Sequence, residues 1–320
     1  MADVDLIRKA LNNPLEGTDF TSLGEKYTGK VRDNYTTKDG RRYIVTSDRI
    51  SAFDRVLGTL PLKGQVLNWV TKFWFDQTKD LVANHILSTP DPNVMEVKEC
   101  TPLKAEMVVR AYITGVTSTS IWTHYSQGKR EFCGHQLPDG LKKDQKLEKP
   151  ILTPSSKAPK GDHDVSMSRE ELIEHGYITP EDFDAAAEMA MNLFAFGTEH
   201  CQKQGLILVD TKYEFGKDAD GNLVVIDEIH TPDSSRYWYA KSYEERFAKG
   251  EKPESFDKEY VRRWLADQGF KGDGDIPTIP DEIKVEAVRR YIEACETVVG
   301  ETFAPDLGEP IGRMKKALGL

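Results

Sequence analysis

The residues best placed for chemistry lie in two neighbouring runs, Leu206-Ile-Leu-Val-Asp-Thr-Lys-Tyr-Glu-Phe-Gly and Asn222-Leu-Val-Val-Ile-Asp-Glu-Ile-His. Both favour β-structure, and Asp220-Gly221 between them is a hairpin turn signal. A turn centred between those two residues sets Phe215 opposite Ile226 and Tyr213 opposite Glu228 on one side of the sheet. On the other side Glu214 faces Asp227, and Lys212 shares that side. Like charges directly opposite destabilise a sheet, so this pair asks to be neutralised. A divalent cation held together with substrate phosphates is one answer, because Mg2+ takes one or two carboxylates plus phosphate oxygens. Two carboxylates splayed into water on a solvated hairpin are the other. Lys212 beside them suits a phosphate or a substrate carboxylate.

Other candidates surround this pair. Thr231-Pro-Asp-Ser-Ser-Arg236 follows it directly and carries Arg236 near the same face, at a strand end of the kind where sites are commonly built. Tyr27-Thr-Gly-Lys-Val-Arg-Asp33 is a hairpin with one glycine and two cations, Lys30 and Arg32, at alternate positions. It lacks the glycines of a Walker loop or a dinucleotide fingerprint, and it either covers a triphosphate or simply turns. Arg110 sits in the apolar strand Val108-Val-Arg-Ala-Tyr-Ile-Thr-Gly, where a cation must be paired or bind an anion. Pro154-Ser-Ser-Lys157 and Gly161-Asp-His-Asp164 gather hydroxyls, cations and carboxylates in one stretch, which a solvated loop would also explain. The cysteines (Cys100, Cys133, Cys201 and Cys295) have no metal-ligand spacing and read as reduced, mostly buried thiols.

The elements that must hold these groups are punctuated clearly. Gly24 to Tyr27, Val31 to Tyr35 and Arg41 to Thr46 form a meander of hairpins. A helix follows Pro61-Leu-Lys-Gly64, with Val66, Leu67, Val70, Phe73 and Trp74 as its apolar stripe. Thr89-Pro-Asp-Pro92 breaks the chain, further strands are expected over Val94 to Val97 and Ala105 to Tyr112, and a lobe boundary falls near 98–104. Ser126 to Met167 reads as a long functional or disordered loop. Ser168-Arg-Glu-Glu171 is a capping box, and Thr179-Pro-Glu-Asp182 starts a longer helix ending before Gly205. Helices are expected near 255–268 and 280–299, and the basic tail (Arg313, Lys315, Lys316) reads as a solvated end.

Composition narrows the class. The 320 residues carry 43 Lys plus Arg against 53 Asp plus Glu, a net charge of −10 that argues against a nucleic-acid binder. A pocket can still be locally basic and take small anions. With 38% apolar and 30% charged residues the chain reads as soluble and globular, which excludes disorder, collagen and coiled coil. The mean hydropathy of −0.54 and the lack of a long uncharged apolar run exclude a membrane span. The acidic N-terminus has no apolar signal core, so a cytoplasmic protein is expected, as a monomer or small homo-oligomer.

Seven stretches taken together resemble the SAICAR synthetase family of purine biosynthesis. They are Gly29-Lys-Val-Arg-Asp33, Ser47-Asp-Arg-Ile-Ser-Ala-Phe-Asp54, Lys63-Gly64 through Phe73-Trp-Phe75, Val108 to Gly115, Pro150 to Lys157, Leu208 to Gly216, and Asp227 to Arg236. They stand in the family's order from about residue 20 to 300; Asp-Thr-Lys-Tyr-Glu-Phe-Gly with Thr-Pro-Asp-Ser-Ser-Arg is the specific pair, and Gly-Lys alone is not. The resemblance implies an α+β fold of two lobes. Residues 1–104 would be an antiparallel-sheet lobe, kinase small-lobe-like and covering the nucleotide, and 105–320 a larger ATP-grasp-like lobe with the metal and substrate sites.

It also implies ATP and Mg2+, with carboxyaminoimidazole ribonucleotide (CAIR) and L-aspartate as substrates and SAICAR, ADP and phosphate as products. On that pattern Glu214 and Asp227 hold the metal, and Lys30, Arg32 and Glu106 bind ATP. Arg110, Lys212 and Arg236 contact CAIR, with Lys212 and Arg236 the catalytic cations and Asp233 a candidate base for the amine. Many members carry a serine directly after the glycine of the Arg110 segment; here Gly115 precedes Val116-Thr-Ser118, so that contact shifts to Thr117 or Ser118. Thr153, Ser155, Lys157, Asp162, His163 and Ser235 are the remaining implied substrate contacts, undivided between CAIR and aspartate. The chemistry suits these types. A carboxylate is a poor electrophile until ATP converts it to an acyl phosphate, and phosphoryl transfer asks the protein mainly for positioning and charge neutralisation. A small-molecule phosphotransferase is one rival, disfavoured by the lack of His-Arg-Asp and Asp-Phe-Gly segments. A nucleotide-binding regulator without turnover is the other, and it should have lost one of the two metal carboxylates.

Overall fold

Two antiparallel sheets carry the architecture of the computed structural model, which describes residues 3–52, 55–117, 119–157, 164–255, 259–270 and 274–320. A short helix, α1 (Val4–Ala10), begins on Asp3, whose carboxylate accepts the N–H groups of Asp5 and Leu6. The first sheet has β1 (Glu25–Thr28), β2 (Arg32–Thr36), β3 (Arg41–Thr46), β6 (Ile86–Asp91) and β7 (Val94–Lys98), ordered β1-β2-β3-β7-β6. Between β3 and β6 the chain makes the hairpin β4 (Arg49–Ala52) and β5 (Arg55–Thr59), then α2 (Lys63–Thr78). The helix packs its backbone closely on the sheet: a Cβ on Gly64 would lie 2.2 Å from the Thr46 carbonyl oxygen. Glycine is therefore required at that crossing.

The second sheet is built on two long strands, β8 (Thr101–Ile113) and β13 (Leu206–Lys217), paired antiparallel over most of their length. β11 (Gln145–Leu152) and β12 (Ser155–Ser156) pair with β8, while β14 (Leu223–Ile226) and β15 (Ser235–Tyr239) pair with β13. Met107, Val109 and Ala111 of β8 and Tyr213 and Phe215 of β13 bury into the main core. They share it with Phe183, Ala186, Ala190, Leu193 and Phe194 of α5 (Pro180–Lys203) and with the α2 stripe. Strand alternation therefore sends Glu106, Val108 and Arg110 of β8, and Asp210, Lys212 and Glu214 of β13, to the opposite face. That face holds the site.

The capping box at α4 (Arg169–Glu174) is present in both directions between Ser168 and Glu171, and Thr179 caps α5 with Pro180 at its first position. α6 (Ala240–Ala248), α7 (Glu259–Asp267) and α8 (Asp281–Val299) follow, then α9 (Pro310–Leu318). No helix among the described residues is long and apolar enough to cross a membrane.

Three expectations change. Among its described residues the stretch 126–167 is not a bare loop: α3 (Ile121–Ser126) ends at its first residue, and the hairpin β9 (Glu131–Phe132) with β10 (His135–Gln136), then β11 and β12, lie within it. They enclose a separate core of Ile113, Ile121, Tyr125, Phe132, Leu137, Leu147 and Ile151. Thr89-Pro-Asp-Pro92 breaks the chain only at its end: β6 runs through Pro90 to Asp91 at the sheet edge, where a missing N–H is tolerated, and the turn falls at Pro92 and Asn93. Arg313 is no solvated tail residue. It pairs with the buried Asp91 at 2.8 Å and with Asn93 at 2.6 Å, docking α9 on the first sheet. The 104/105 line lies within β8, which begins at Thr101 after the chain leaves β7 at Lys98.

Candidate active site

The hairpin register differs by one residue from the expected one. Glu214 pairs with Ile226 and Phe215 with Val225, so Glu214 does not face Asp227. The turn spans 218–222 and centres on Asp220 itself. Asp218 closes it by donating its N–H to the Asn222 carbonyl (3.0 Å), accepting the Gly221 N–H on its own carbonyl (2.9 Å), and accepting the N–H groups of Asp220 (3.1 Å) and Asn222 (2.9 Å) on its carboxylate. β14 stops at Ile226, and Asp227 adopts φ +66°, a left-handed conformation that aspartate tolerates. The residue directly opposite Glu214 is Glu106, on the other neighbouring strand. The opposed carboxylates expected from the sequence therefore exist, but across β8.

Lys212 neutralises that pair, with its Nζ 2.6 Å from Glu106 and 3.1 Å from Glu214. Lys157 also donates to Glu214. Burial works against the Glu214 charge, yet Lys212 and Lys157 outweigh it and hold the carboxyl well below the usual range. Burial pushes Glu106 up, with Lys212 opposing. Asp227 is pushed up to about 6 by burial, with Arg32 offsetting and Glu214 and Glu228 reinforcing the rise. Arg32 lies 3.1 Å from Asp227 and 2.6 Å from Glu228. Among the described residues, no group of three His, Cys, Asp or Glu is arranged to hold a metal by protein atoms alone. A hard cation that completes its shell with phosphate oxygens and water needs only one or two carboxylates, so the Glu214 and Asp227 donors suit Mg2+.

Farther along the same face, Asp210 accepts from Arg110 at 3.2 Å and from Arg236 at 3.0 Å. Arg110 also donates to the Thr153 hydroxyl (2.8 Å) and the Thr119 carbonyl (3.3 Å). The ion-pair alternative for Arg110 is thus realised, yet one carboxylate serves two guanidiniums, and the local balance stays positive. Thr117, Thr153, Ser155, Asp233 and Ser235 line the same cleft of about 500 Å³, together with Glu106, Arg110, Lys212 and Arg236. Lys30 does not line it; it stands at the β1–β2 turn, where Arg49 binds the Gly29 and Lys30 carbonyls at 3.2 and 2.9 Å. Ser118, Asp162 and His163 lie outside the described residues.

The sequence reading missed several groups. Lys63 is buried, 1% exposed, and its Nζ lies 2.8 Å from Asp233, whose other oxygen accepts from Tyr291 at 2.9 Å. Ser120 lines the cleft beside Thr117. It is buried, accepts the Thr117 N–H at 3.0 Å, and sits where a Cβ on Gly115 would lie 2.3 Å from its Oγ. Asp210 was within reach of strand parity, two residues before Lys212 on one face, whereas nothing local marked Lys63.

The SAICAR synthetase family model matches residues 25–278. The phosphoribosylaminoimidazole-succinocarboxamide synthase of Legionella pneumophila (strain Lens) is 50% identical over 290 residues, covering 89% of this chain and 92% of that protein. A Mesorhizobium japonicum protein, named putative phosphoribosylaminoimidazole-succinocarboxamide synthase 2, is 48% identical over 281 residues, 88% of this chain and 90% of that one. Among solved structures, a SAICAR synthase from Saccharomyces cerevisiae complexed with SAICAR superposes with a TM-score of 0.79 at 30% identity, over 91% of this chain and 100% of that one. The family model spans most of the chain and the likeness to those proteins runs nearly end to end, so the chain belongs to the SAICAR synthetase family, ATP-dependent ligases of purine biosynthesis.

Proposed function

We propose that the chain joins L-aspartate to the carboxylate of CAIR through an acyl phosphate, consuming ATP with Mg2+ and releasing SAICAR, ADP and phosphate. The observation that carries this reading is the polarity of one sheet face. Carboxylates bridged by Lys212 stand at one end, and Arg110 and Arg236, sharing a single aspartate, stand farther along the same cleft.

In the first step a CAIR carboxylate oxygen bonds to the γ-phosphorus and ADP leaves. In the second, the aspartate amine attacks the acyl carbon, phosphate departs, and the nitrogen sheds a proton. Magnesium held by Glu214 and Asp227 would supply charge neutralisation on the phosphate oxygens. Lys30 and Arg32 at the β1–β2 turn, with Glu106 at the start of the site, are the ATP-facing groups. Lys212 orients the reacting carboxylate, and Arg110 and Arg236 fix the rest of CAIR. Thr117, Thr153, Ser155 and Ser235 offer hydroxyls within the cleft, and Lys157, just past β12, donates to Glu214. Asp233 already accepts bonds on both oxygens, so it suits holding the aspartate ammonium better than removing its proton. Residues 1–104 would cover the nucleotide, and 105–320 carry the metal and substrates. The reading needs only small anionic partners, and we place the protein in the cytoplasm as a monomer or small homo-oligomer.

The test is ADP release with ATP, Mg2+, CAIR and L-aspartate, leaving out one component at a time. Turnover that requires both CAIR and aspartate supports the ligase. ADP release with CAIR alone would point to a phosphotransferase, and silence of the folded protein in the full mixture would leave only binding.

A further inference from the structure

One edge of β13 pairs with β8, and the other carries two short strands with a gap between them: β15 lies along Leu206 to Thr211 and β14 along Glu214 to Lys217. Among the described residues, Lys212 and Tyr213 have neither strand beside them. The stretch 227–234 spans that gap and is tied to it where the Lys212 N–H donates to the Ser234 carbonyl at 3.0 Å. It begins with Asp227 and leads through Asp233 into Ser235 and Arg236, so its course sets the spacing between the two ends of the cleft.

The backbone of this stretch bends at two left-handed residues, Asp227 at φ +66° and His230 at φ +53°. Neither is glycine, and such residues persist only where their surroundings over-determine them. Around His230 those surroundings are tight. Its carbonyl accepts from the Tyr237 hydroxyl of β15, and its Nε2 shares a hydrogen bond with the Tyr213 hydroxyl of β13 at 2.5 Å. The imidazole meets Trp74 of α2 edge to face, with centroids 4.6 Å apart and planes at 89°. Against α5 it fills the space a side chain would take, since a Cβ on Gly197 would lie 2.4 Å from its Cε1. The residue is fully buried, and burial pushes the imidazole down to about 3, so it stays neutral at physiological pH.

Tyr213 points into the core from between Lys212 and Glu214, which point to the opposite face. The His230 ring is thereby registered to the strand that carries Lys212 and Glu214, and its carbonyl to the strand that carries Arg236. The next residue passes the bend on. The Thr231 hydroxyl donates to Glu228 at 2.7 Å and accepts the Asp233 and Ser234 N–H groups at 3.2 Å each, so a shift at His230 moves both sides of the stretch together. We propose that His230 is a positioning residue: its imidazole, keyed into a slot between Tyr213, Trp74 and Gly197, fixes the bend from which Asp227 serves one end of the cleft and Asp233 and Arg236 serve the other. This rests on the ligase reading above, which gives those three side chains their roles. The neutral, enclosed ring acts through the backbone and not by proton transfer.

The experiment uses the full chain with Tyr213→Phe, which removes one hydroxyl and keeps the ring, and with His230→Gln and His230→Leu. Amide hydrogen exchange is followed on the metal-free, ligand-free protein, and ADP release is measured with ATP, Mg2+, CAIR and L-aspartate. In Tyr213→Phe, exchange over 227–236 should speed up while α5 and the β8–β13 pairing stay as protected as in the wild type. Its kcat should fall about tenfold or more, because small misplacements of reacting groups are costly, and by the same factor at every pH. His230→Gln, which keeps a hydrogen-bonding group for Tyr213, should retain more of the kcat than His230→Leu. Unchanged exchange over 227–236 in Tyr213→Phe, or a wild-type kcat, overturns the inference. So does faster exchange spread evenly over the core, the mark of a packing role, or a loss of kcat confined to one end of the pH range, the mark of proton transfer. Tyr213→Phe decides alone if the His230 variants do not fold. Failure of the ligase reading shows separately, as a wild-type protein that does not turn over CAIR with aspartate, and the exchange over 227–236 still decides whether His230 holds that segment.

Discussion

Asp227→Asn separates what that carboxylate does for catalysis from what it costs the fold. The position has φ +66°, a conformation asparagine adopts as readily as aspartate, so the exchange adds no backbone strain. Arg32 keeps its 2.6 Å contact with Glu228. Burial moves the Asp227 carboxyl from 3.8 up to about 6, with Arg32 offsetting only part of the rise. A group whose folded pKa is raised contributes stability that is complete below the unfolded value and is lost as pH climbs through the folded one. The window here is 3.8 to about 6, and above it the ionised carboxylate is a penalty. Two units correspond to about 3 kcal/mol. The side chain is 28% exposed, and solvent screening trims the figure to about 2 kcal/mol. In metal-free buffer, urea melts should therefore show the variant equal to wild type near pH 4 and about 2 kcal/mol more stable at pH 7. Turnover should move the opposite way, with magnesium-dependent ADP release falling about 10²- to 10³-fold, the usual loss for one preorganised electrostatic group. Near-normal turnover would remove Asp227 from the metal site. A variant less stable than wild type at pH 7 would refute the electrostatic argument, because it would mean that Arg32 outweighs burial.

Three further changes probe the rest of the frame. Lys212→Met leaves Glu106 and Glu214 directly opposed with only Lys157 on Glu214. Its kcat should fall about 10²-fold or more, and losing the cation shared by two largely buried carboxylates should also cost about 3–5 kcal/mol in urea unfolding; an unaltered kcat argues against Lys212 at the reacting carboxylate. Lys63→Met strips a buried cation from Asp233 and should cost about 3–5 kcal/mol in urea unfolding, with part recovered when Asp233 is made apolar as well. No recovery in the double variant would show that packing, not the unpaired carboxylate, sets the loss. Arg313→Met leaves the buried Asp91 without its cation and should destabilise by a similar ~3–5 kcal/mol; a loss well under 1 kcal/mol would mean that α9 is held by Met314 and its apolar neighbours alone.

Local chemistry is what the sequence displays most openly. The capping box at Ser168, the Thr179 cap and the α2 stripe each depend on residues a few positions apart, and each formed as expected. Parity along a single strand is equally local, which is why Lys212 and Glu214 were placed together on one face. Register across strands is not, because the choice between Ile226 and Asp227 as the partner of Glu214 depends on half a residue in the turn centre, and the Asp218 carboxylate makes that choice. The region 126–167 hid its structure for a related reason: its strands are two residues long or, in β11, interrupted by an irregularity between Lys146 and Ile151 that breaks the alternation. Contacts between distant segments leave no local trace at all. Arg32 and Asp227 are 195 residues apart, and Lys63 and Asp233 are 170 apart. Either lysine or arginine reads as a surface residue from its neighbours. What recovers such pairs from sequence is the order of the motifs that contain them, since Gly29-Lys-Val-Arg-Asp33 and Lys63-Gly64 gain meaning only when Asp227 to Arg236 follows.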